Sequence, residues 1–378
     1  MGSNKNLPDL ITDLPSPCFL VDLNRAKLNT SRMLETCKKL GVQLRPHMKT
    51  HKTIELAVLQ TGGKKQHITV STIQEAEFYA ENGFDDILYA YPITADKITR
   101  CVNIANSHNF HVLFDSHDAI EALSNAALDS GKKWSVLLSV DTGDNREGAL
   151  WNSEDAVELV KKVVSIDTIR FQGLYTHDGH AYECKDEEEL RKSGDETVEK
   201  IQHLKNRLQK EGIDCITVGL GSTPSCAKPS EKFSAMTELH PGNYIFFDYE
   251  QYMGGVCGID EIACRVMTRV ISHCPSDSHL LVDCGFTAIS HDGMTKQDTL
   301  PFGFCIFQDN PNLRMVNVNQ EVGIVKAADG KLDFGKYPIG TILYIYPFHS
   351  CAAAAMHPVY YVHEGDKVVG MYKPTRGW

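Results

Sequence analysis

The sequence lacks the features of several large classes of protein. Its 378 residues contain no uninterrupted apolar run of about 18 residues, so no membrane-spanning helix is expected. The chain carries 49 acidic and 38 basic side chains, a formal net charge of −11, and no Lys or Arg run beyond short pairs, which argues against nucleic-acid binding. The N-terminal segment has no apolar core of a secretory signal, and the 12 cysteines include no Cys-x-x-Cys pair. The sequence therefore predicts a reduced, cytoplasmic enzyme with no membrane or nucleic-acid partner.

The first two thirds of the chain contain short apolar segments that alternate with amphipathic helical patterns. Eight such segments over about 230 residues are typical of a (β/α)8 barrel. A doubly wound sheet is the alternative, but no G-x-G-x-x-G motif follows the first segment. Residues 187–210 predict a charged helix, or a helix pair broken near Gly194. The eight predicted strands are 44–46, 67–71, 86–91, 110–115, 134–141, 169–176, 215–219 and 236–244.

The last third of the chain has a different character. After about Gly255 the helical periodicity fades, and short strand-like runs follow between Gly, Pro, Asn and Asp residues. We therefore expect a barrel domain at residues 20–255 and a β-rich domain at 256–378, which residues 1–19 are expected to join. The strands predicted for this domain are 18–21, 263–271, 279–282, 343–346 and 359–362.

Polar, glycine-containing segments follow five of the predicted barrel strands, where the active site of such a barrel lies. After the first strand, Lys49 stands among two histidines and Arg45, and neighbouring cations favour the neutral, nucleophilic form of an amine. A lysine in a loop is more often a solvated surface charge, and Lys52 meets the chemical argument as well as Lys49. Residues 221–223 form either a simple turn or a phosphate site made of backbone N–H groups and hydroxyls. Residues 242–244 would add a second set of such groups.

His349 and Cys351 form a second candidate site near the C-terminus. On a strand, a spacing of two residues places both side chains on one face. An imidazole and a thiolate there would make half of a zinc site; the alternative is a buried cysteine beside a polar histidine. Two protein ligands leave coordination positions open, which suits a catalytic metal.

These segments together resemble a known family. R-P-H-x-K-T-H-K at 45–52, followed by G-L-Y-T-H-D-G-H, G-S-T-P and H-P-G-N-Y, is similar to the fold-type III enzymes that use pyridoxal 5'-phosphate (PLP). The closest resemblance is to the D-threonine aldolase/D-serine dehydratase group, and it extends from about Leu14 to Tyr372. The H-S-C-A-A-A segment resembles the dehydratase branch, because aldolase relatives typically carry a carboxylate where this chain has Cys351.

The resemblance implies a fold, cofactors and a reaction. The implied fold is an alanine-racemase-like (β/α)8 barrel with a C-terminal β-rich domain, and a homodimer is expected. PLP is held by Lys49 and zinc by His349 and Cys351. The reaction converts the small-molecule substrate D-serine to pyruvate and ammonia, with Lys49 as the base for the α-proton and zinc assisting departure of the β-hydroxyl. The further cofactor-binding residues implied are Arg146, Tyr175, Tyr182, Gly221, Ser222, Thr223, Gly242, Asn243 and Tyr244.

Three other functions stay open at this point. A metal-dependent D-threonine aldolase would cleave the Cα–Cβ bond instead of the Cβ–O bond. An amino-acid racemase has no need of a His/Cys metal pair, and a non-catalytic PLP-binding protein has no need of the β-rich domain. The preference for a D-amino acid rests on the resemblance alone.

Overall fold

The computed structural model describes residues 7–129 and 131–378. It divides into two compact units. One unit comprises Thr30–Tyr244 with Thr375–Trp378, and the other comprises Ile245–Pro374 with the N-terminal segment up to Asn29. The first six residues, which enter the predictions about the N-terminus, lie outside the described residues. The predicted domain bounds, 20–255 and 256–378, stay predictions.

The unit that begins at Thr30 is a nearly closed barrel of parallel strands. Each of the eight predicted segments overlaps one barrel strand, which confirms the predicted fold class. After β1 (Cys18–Asp22), which belongs to the other unit, the strands are β2 (Gln43–Leu44), β3 (Gln66–Val70), β4 (Asp85–Pro92), β5 (Phe110–Phe114), β6 (Trp134–Asp141), β7 (Ala149–Leu150), β8 (Ile169–Thr176), β9 (Thr217–Leu220) and β10 (Glu238–Leu239).

The strand order around the barrel is β2-β10-β9-β8-β6-β5-β4-β3, and β7 pairs with β6. The two ends of this series meet just beyond β2, where His47 forms a parallel bridge with Thr69. The Thr69 N–H also donates to the carbonyl oxygen of Pro46 at 3.0 Å. The carboxyl ends of the eight strands therefore share one edge, where a barrel places its functional residues.

Helices follow the strands in chain order, and several start at a side-chain cap. Thr72, Ser116, Ser153 and Asp186 each accept the backbone N–H three residues ahead, which satisfies one otherwise unpaired donor of a helix start. The helices up to the end of the barrel are α1 (Leu23–Leu40), α2 (Ile54–Gln60), α3 (Ile73–Glu81), α4 (Ile98–Ala105), α5 (His117–Ser124), α6 (Glu154–Val164), α7 (Glu187–Lys210) and α8 (Thr223–Ala227).

Helix α7 is continuous, so the alternative of a helix pair broken near Gly194 is wrong. Gly194 is buried in α7, and a Cβ atom there would lie 3.0 Å from ring carbons of Phe233. The glycine therefore makes room for the Phe233 ring and does not interrupt the helix.

The second unit contains a nine-stranded sheet in which every pairing is antiparallel except that of β1 with β17. The order is β14-β15-β12-β11-β1-β17-β18, and β16 pairs with both β11 and β13. This sheet confirms the predicted β-rich C-terminal domain. Its strands after β1 are β11 (Cys264–Cys274), β12 (His279–Val282), β13 (Pro301–Phe307), β14 (Leu313–Val318), β15 (Gly323–Ala327), β16 (Ile342–Pro347), β17 (Tyr360–Glu364) and β18 (Lys367–Tyr372).

Three short helices complete the second unit: α9 (Tyr249–Met253), α10 (Phe286–Ile289) and α11 (Ser350–Ala355). Over the described ranges 7–129 and 131–378, no helix has both the length and the apolar character needed to cross a membrane.

Candidate active site

Lys49 lies at the carboxyl edge of the barrel, in the single turn Met48–Thr50 that follows β2. The ring Nδ1 of His47 accepts the Lys49 backbone N–H at 3.3 Å, which fixes this turn. The Lys49 side chain is half-buried and forms no ion pair with any residue that the structure describes. Lys52 differs, because its Nζ lies 2.9 Å from Oε1 of the buried Glu75. Of the two candidate lysines, Lys49 is therefore the one whose amine is left for a ligand.

Two neutral histidines share the surroundings of Lys49. Burial and the nearby charge of Lys49 hold the pKa of His47 well below its usual value. Burial, Lys49 and Arg146 lower the pKa of His177 to about 3. At neutral pH the His177 ring is therefore uncharged, and its Nδ1–H donates to the Gly221 carbonyl oxygen at 2.9 Å. Neither ring adds positive charge beside the amine.

Arg45 has a different role from the one expected. Its Nε lies 3.0 Å from Oε1 of Glu238, and one Nη lies 2.8 Å from Oδ1 of Asp86. Nδ1 of His67 hydrogen-bonds to Asp86 at 2.7 Å, and Nε2 of His67 lies 3.3 Å from Oε2 of Glu238. Arg45 directly follows β2, and the other three residues lie on β3, β4 and β10. Arg45 therefore belongs to an ion-pair network inside the barrel and is not available to act on Lys49.

Arg146 lies in the loop after β6 and contacts a residue that the sequence did not single out. Its Nη2 donates to the hydroxyl of Tyr91 at 2.9 Å, and its Nε lies 2.8 Å from Oε2 of Glu147. Tyr175, at the end of β8, is buried, and burial followed by the nearby Glu147 raises its pKa. The Tyr175 ring stacks on the ring of His240, with centroids 4.1 Å apart and an interplanar angle of 12°. Three strand ends thus place an arginine and two tyrosines at the same edge as Lys49.

The predicted phosphate segment forms the start of helix α8. Ser222 caps the helix by accepting the Ser225 N–H through its hydroxyl oxygen. Thr223, the first residue of α8, is 2 % exposed, and its Oγ1 has no hydrogen-bond partner among the described residues. A buried hydroxyl without a partner is costly, so this oxygen is available for a ligand.

Glycine is required at both loops beside this helix. A Cβ atom on Gly221 would lie 2.9 Å from the backbone nitrogen of His240. A Cβ atom on Gly242 would lie 2.9 Å from the carbonyl oxygen of His47. The two loops therefore pack closely on their neighbours, and Asn243 and Tyr244 are buried in the turn after Gly242.

The segment after β8 places two further residues near α8. Asp178 has no exposed surface, and burial raises the pKa of its carboxyl group to about 7 against the opposing effect of the Ser225 and Ser222 hydroxyls. Tyr182, predicted to line the cofactor, lies in the turn Gly179–Glu183 and is 38 % exposed.

His349 and Cys351 lie in the other unit, at a junction between a strand and a helix. Strand β16 ends at Pro347, and α11 begins at Ser350 with His349 as its cap residue. The expectation that the pair projects from one face of a strand is therefore wrong. The two side chains are still close neighbours, since Cys351 is the largest influence that raises the pKa of the His349 ring.

Carboxylates surround this pair. Oδ2 of Asp292 lies 2.7 Å from Nδ1 of His349, and the charges of Asp248 and Glu250 also act on the ring. Burial opposes a charged imidazole, yet Cys351 and Asp292 raise the pKa of His349 well above its usual value. In the part of the chain that the structure describes, no group of three or more His, Cys, Asp or Glu side chains is arranged to hold a metal. His349 and Cys351 are therefore a pair of possible ligands and not a complete set of metal ligands.

Two family models together match most of the chain. The alanine racemase N-terminal domain matches residues 21–250, and the putative serine dehydratase domain matches residues 263–363. A parallel barrel with an unpaired lysine at its carboxyl edge, followed by an antiparallel sheet unit, defines an alanine-racemase-like PLP enzyme.

Relatives match along nearly the whole length. The D-serine dehydratase of Dictyostelium discoideum is 36 % identical over 396 residues, which cover 99 % of this chain and 100 % of that protein. This chain belongs to the D-serine dehydratase family of PLP-dependent lyases, within the D-threonine aldolase/D-serine dehydratase group.

Two solved structures show the same fold. The D-threo-3-hydroxyaspartate dehydratase from Delftia sp. HT23 is 29 % identical and has a TM-score of 0.92, covering 98 % of this chain and 100 % of that one. The D-threonine aldolase from Filomicrobium marinum is 26 % identical with a TM-score of 0.87, covering 98 % of each chain. The group thus contains both dehydratases and aldolases.

Sequence reasoning missed several residues at these sites. Tyr91 could have been found, because it ends a predicted strand at the edge where functional side chains gather. Asp292 carries no such signal, since it is 57 residues from His349 and reaches it only through tertiary structure.

Proposed function

We propose that this chain is a PLP- and zinc-dependent D-serine dehydratase, which converts D-serine to pyruvate and ammonia. The observation that carries the proposal is the Lys49 amine at the carboxyl edge of the barrel, half-buried and without an ion pair among the described residues. The substrate is inferred from the D-serine dehydratase relatives, which match the chain over its full length.

The residues at the barrel edge fit PLP. The Lys49 amine would hold the cofactor's aldehyde carbon, and Arg146 would lie near its phenolic oxygen. Residues 221–223 and 242–244 would hold the phosphate. The unpartnered Oγ1 of Thr223 supports this, because a phosphate oxygen would satisfy it. Tyr175 and Tyr182 would line the cofactor.

PLP, when bound, supplies an electron sink that makes the α-proton of an amino acid acidic. Nζ of Lys49 would accept that proton as a general base. His47 and His177 support this role, since both have pKa values held below their usual range and stay neutral. They do not oppose the positive charge that Lys49 gains with the proton.

His349 and Cys351 fit zinc through Nε2 and Sγ. Their side chains meet, and acidic groups at Asp292, Asp248 and Glu250 make the surroundings favourable for a cation. Zinc, if held there, would supply a Lewis acid able to stabilise negative charge on a departing β-hydroxyl oxygen. The Delftia dehydratase supports a metal at such a pair. Its solved variants include a cysteine-to-alanine form described as metal-free and a histidine-to-alanine form, and the two positions are two residues apart.

A metal-dependent D-threonine aldolase is the second candidate, favoured by the match to the Filomicrobium marinum aldolase. The two reactions need the same cofactor and a metal, and they differ in the bond that breaks. A non-catalytic PLP-binding protein is less well supported, because it has no use for the second unit with its His/Cys pair.

The test is to incubate the purified, PLP-loaded protein with D-serine, L-serine and D-threonine and to measure pyruvate, glycine and 2-oxobutanoate. We expect pyruvate from D-serine but not from L-serine. A strong chelator should abolish pyruvate formation, and added zinc should restore it. Glycine from D-threonine without pyruvate from D-serine would replace the proposal with the aldolase. Activity unchanged in metal-free protein would refute the zinc requirement.

We also propose that the chain acts as a homodimer in the cytoplasm, as the family resemblance implies. All twelve cysteines are free thiols, which supports a reducing compartment. Sedimentation at equilibrium should give twice the chain mass of 42.1 kDa, and a single-chain mass would contradict the dimer.

A further inference from the structure

We propose that Asp292 is a positioning residue of the zinc site, which fixes the ring of His349 so that Nε2 faces the metal. The inference rests on the proposed zinc function of His349 and Cys351. It adds a residue that neither the sequence motif nor the His/Cys spacing contains.

The geometry assigns one ring nitrogen to Asp292. Oδ2 of Asp292 lies 2.7 Å from Nδ1 of His349, so Nδ1 carries the proton and donates it to the carboxylate. With Nδ1 protonated, a neutral ring has its lone pair on Nε2. A metal-bound histidine usually has such a carboxylate or carbonyl partner on its other nitrogen, which fixes the tautomer and the ring orientation.

The loop that carries Asp292 is built against the residue before His349. Gly293 has φ +84°, and a Cβ atom on it would lie 2.3 Å from Cγ of the Phe348 ring. The hydroxyl oxygen of Ser290 accepts the Asp292 N–H at 3.2 Å, which restrains the backbone on the other side. Asp292 is thus held next to Phe348 and His349 by its own loop.

Asp248, another carboxylate near the pair, already has a different task. Its Oδ2 accepts the Ser350 N–H at 2.8 Å, and its Oδ1 accepts the Gln251 N–H at 3.0 Å. These bonds stabilise the starts of α11 and α9. Asp248 therefore orients the backbone that carries the ligands, whereas Asp292 orients the imidazole.

The experiment measures zinc affinity in the full-length, PLP-loaded protein by competition with a chromophoric chelator. Asp292→Ala should raise the zinc Kd about 10- to 100-fold, the effect typical of removing such a partner. Asp292→Asn should have a smaller effect, because its amide oxygen still accepts the Nδ1 proton without the charge. Asp298→Asn is the matched control: it removes an exposed carboxylate a few residues along the chain and should leave Kd unchanged.

Thermal unfolding provides a second readout that separates positioning from general stability. Without zinc, Asp292→Ala lacks the ion pair with His349 and should unfold slightly below the wild-type temperature. The rise in unfolding temperature on adding zinc, measured for each protein against its own zinc-free form, should be smaller in the variant. Equal zinc affinity in Asp292→Ala and wild type would overturn the role of Asp292 while leaving the zinc site intact. A wild-type protein that binds no zinc would overturn both. If Asp292→Ala does not fold, Asp292→Asn decides, and an unchanged Kd there overturns the inference.

Discussion

At the scale of single residues, the structure separates two lysines that the sequence leaves equivalent. Lys49 and Lys52 stand three positions apart in the same motif, and both have basic neighbours. The ammonium of Lys52 is held by Glu75, whose side chain is 1 % exposed, while Lys49 has no such partner among the described residues. The partner of Lys52 lies on helix α3, and nothing in the local motif indicates it.

We therefore expect Lys49→Ala to lose the near-visible absorbance of lysine-bound PLP and all dehydration of D-serine. Lys52→Met should keep that absorbance, because its ammonium is engaged by Glu75 and does not hold the cofactor. Spectra before and after borohydride reduction, followed by peptide mass mapping, provide the measurement. A borohydride-trapped cofactor in Lys49→Ala would refute the assignment.

Asp178 gives a prediction for stability against pH. Its carboxyl group has a pKa of about 7 in the folded protein against an ordinary value of 3.8. Well below pH 4 the Asp178 carboxyl group is protonated in both the folded and the unfolded protein. Between about pH 4 and 7 it ionises first in the unfolded chain, so wild type loses stability as the pH rises. Three pKa units correspond to at most about 4 kcal/mol.

In cofactor-free protein, Asp178→Asn should therefore be more stable than wild type at pH 8 and equal to it near pH 4. Urea unfolding at several pH values measures the difference. The exposed Asp167→Asn is the control and should follow wild type throughout. A variant that loses stability in parallel with wild type between pH 4 and 7 would show that Asp178 is not the group responsible.

At the scale of helices and strands, the barrel was predictable and much of the second sheet was not. Seven of the eight residues in each of β6 and β8 are buried, as expected for parallel strands covered on both faces, and both strands were predicted to the residue. Strands β13, β14, β15 and β18 were missed. β18, for example, is mostly exposed, and its pairing with β17 comes from tertiary context and not from its own composition.

The junction at His349 shows how a correct pair of residues was placed on the wrong element. Pro347 ends β16, and the run of alanines at 352–355 favours a helix over a strand. The rule that residues two apart share a face applies to strands only. The side chains meet because His349 is still extended while Cys351 is already in the first helical turn.

The ion pairs of Arg45 with Glu238 and Asp86 join the end of β2 to β10 and β4, and they predict how much one side chain stabilises the barrel. Arg45 and Glu238 are 7 % and 5 % exposed, so removing the arginine leaves a buried carboxylate without its main partner. Arg45→Met should lower the free energy of unfolding by about 3–5 kcal/mol. The exposed Lys64→Met removes the same charge and should cost less than about 0.5 kcal/mol. Urea denaturation compares them, and equal effects would show that the network does not stabilise the barrel.

At the scale of the whole molecule, the two chemical sites belong to different units. Lys49 lies in the barrel unit, and His349 and Cys351 lie in the unit that contains the antiparallel sheet. Lys49 and the His349/Cys351 pair could each be proposed from a short motif, whereas the other proposed cofactor contacts lie on or after four further barrel strands. Of their supporting residues, Tyr91 stands at the end of a predicted strand, whereas Asp292 comes from a distant part of the chain and required the fold.

No residue proposed to bind zinc is also proposed to bind PLP. A variant that loses one of the two cofactors should therefore keep the other. His349→Ala should bind little zinc and keep the absorbance of lysine-bound PLP, and Lys49→Ala should lose that absorbance and keep one zinc per chain. Zinc content by atomic emission and the spectrum of the same samples measure both. Cys351→Ala should behave as His349→Ala does, while Cys274→Ala, at a half-buried thiol elsewhere in this unit, should change neither. Loss of PLP in His349→Ala would mean that the metal pair also supports the cofactor, and the division of tasks between the two units would then be wrong.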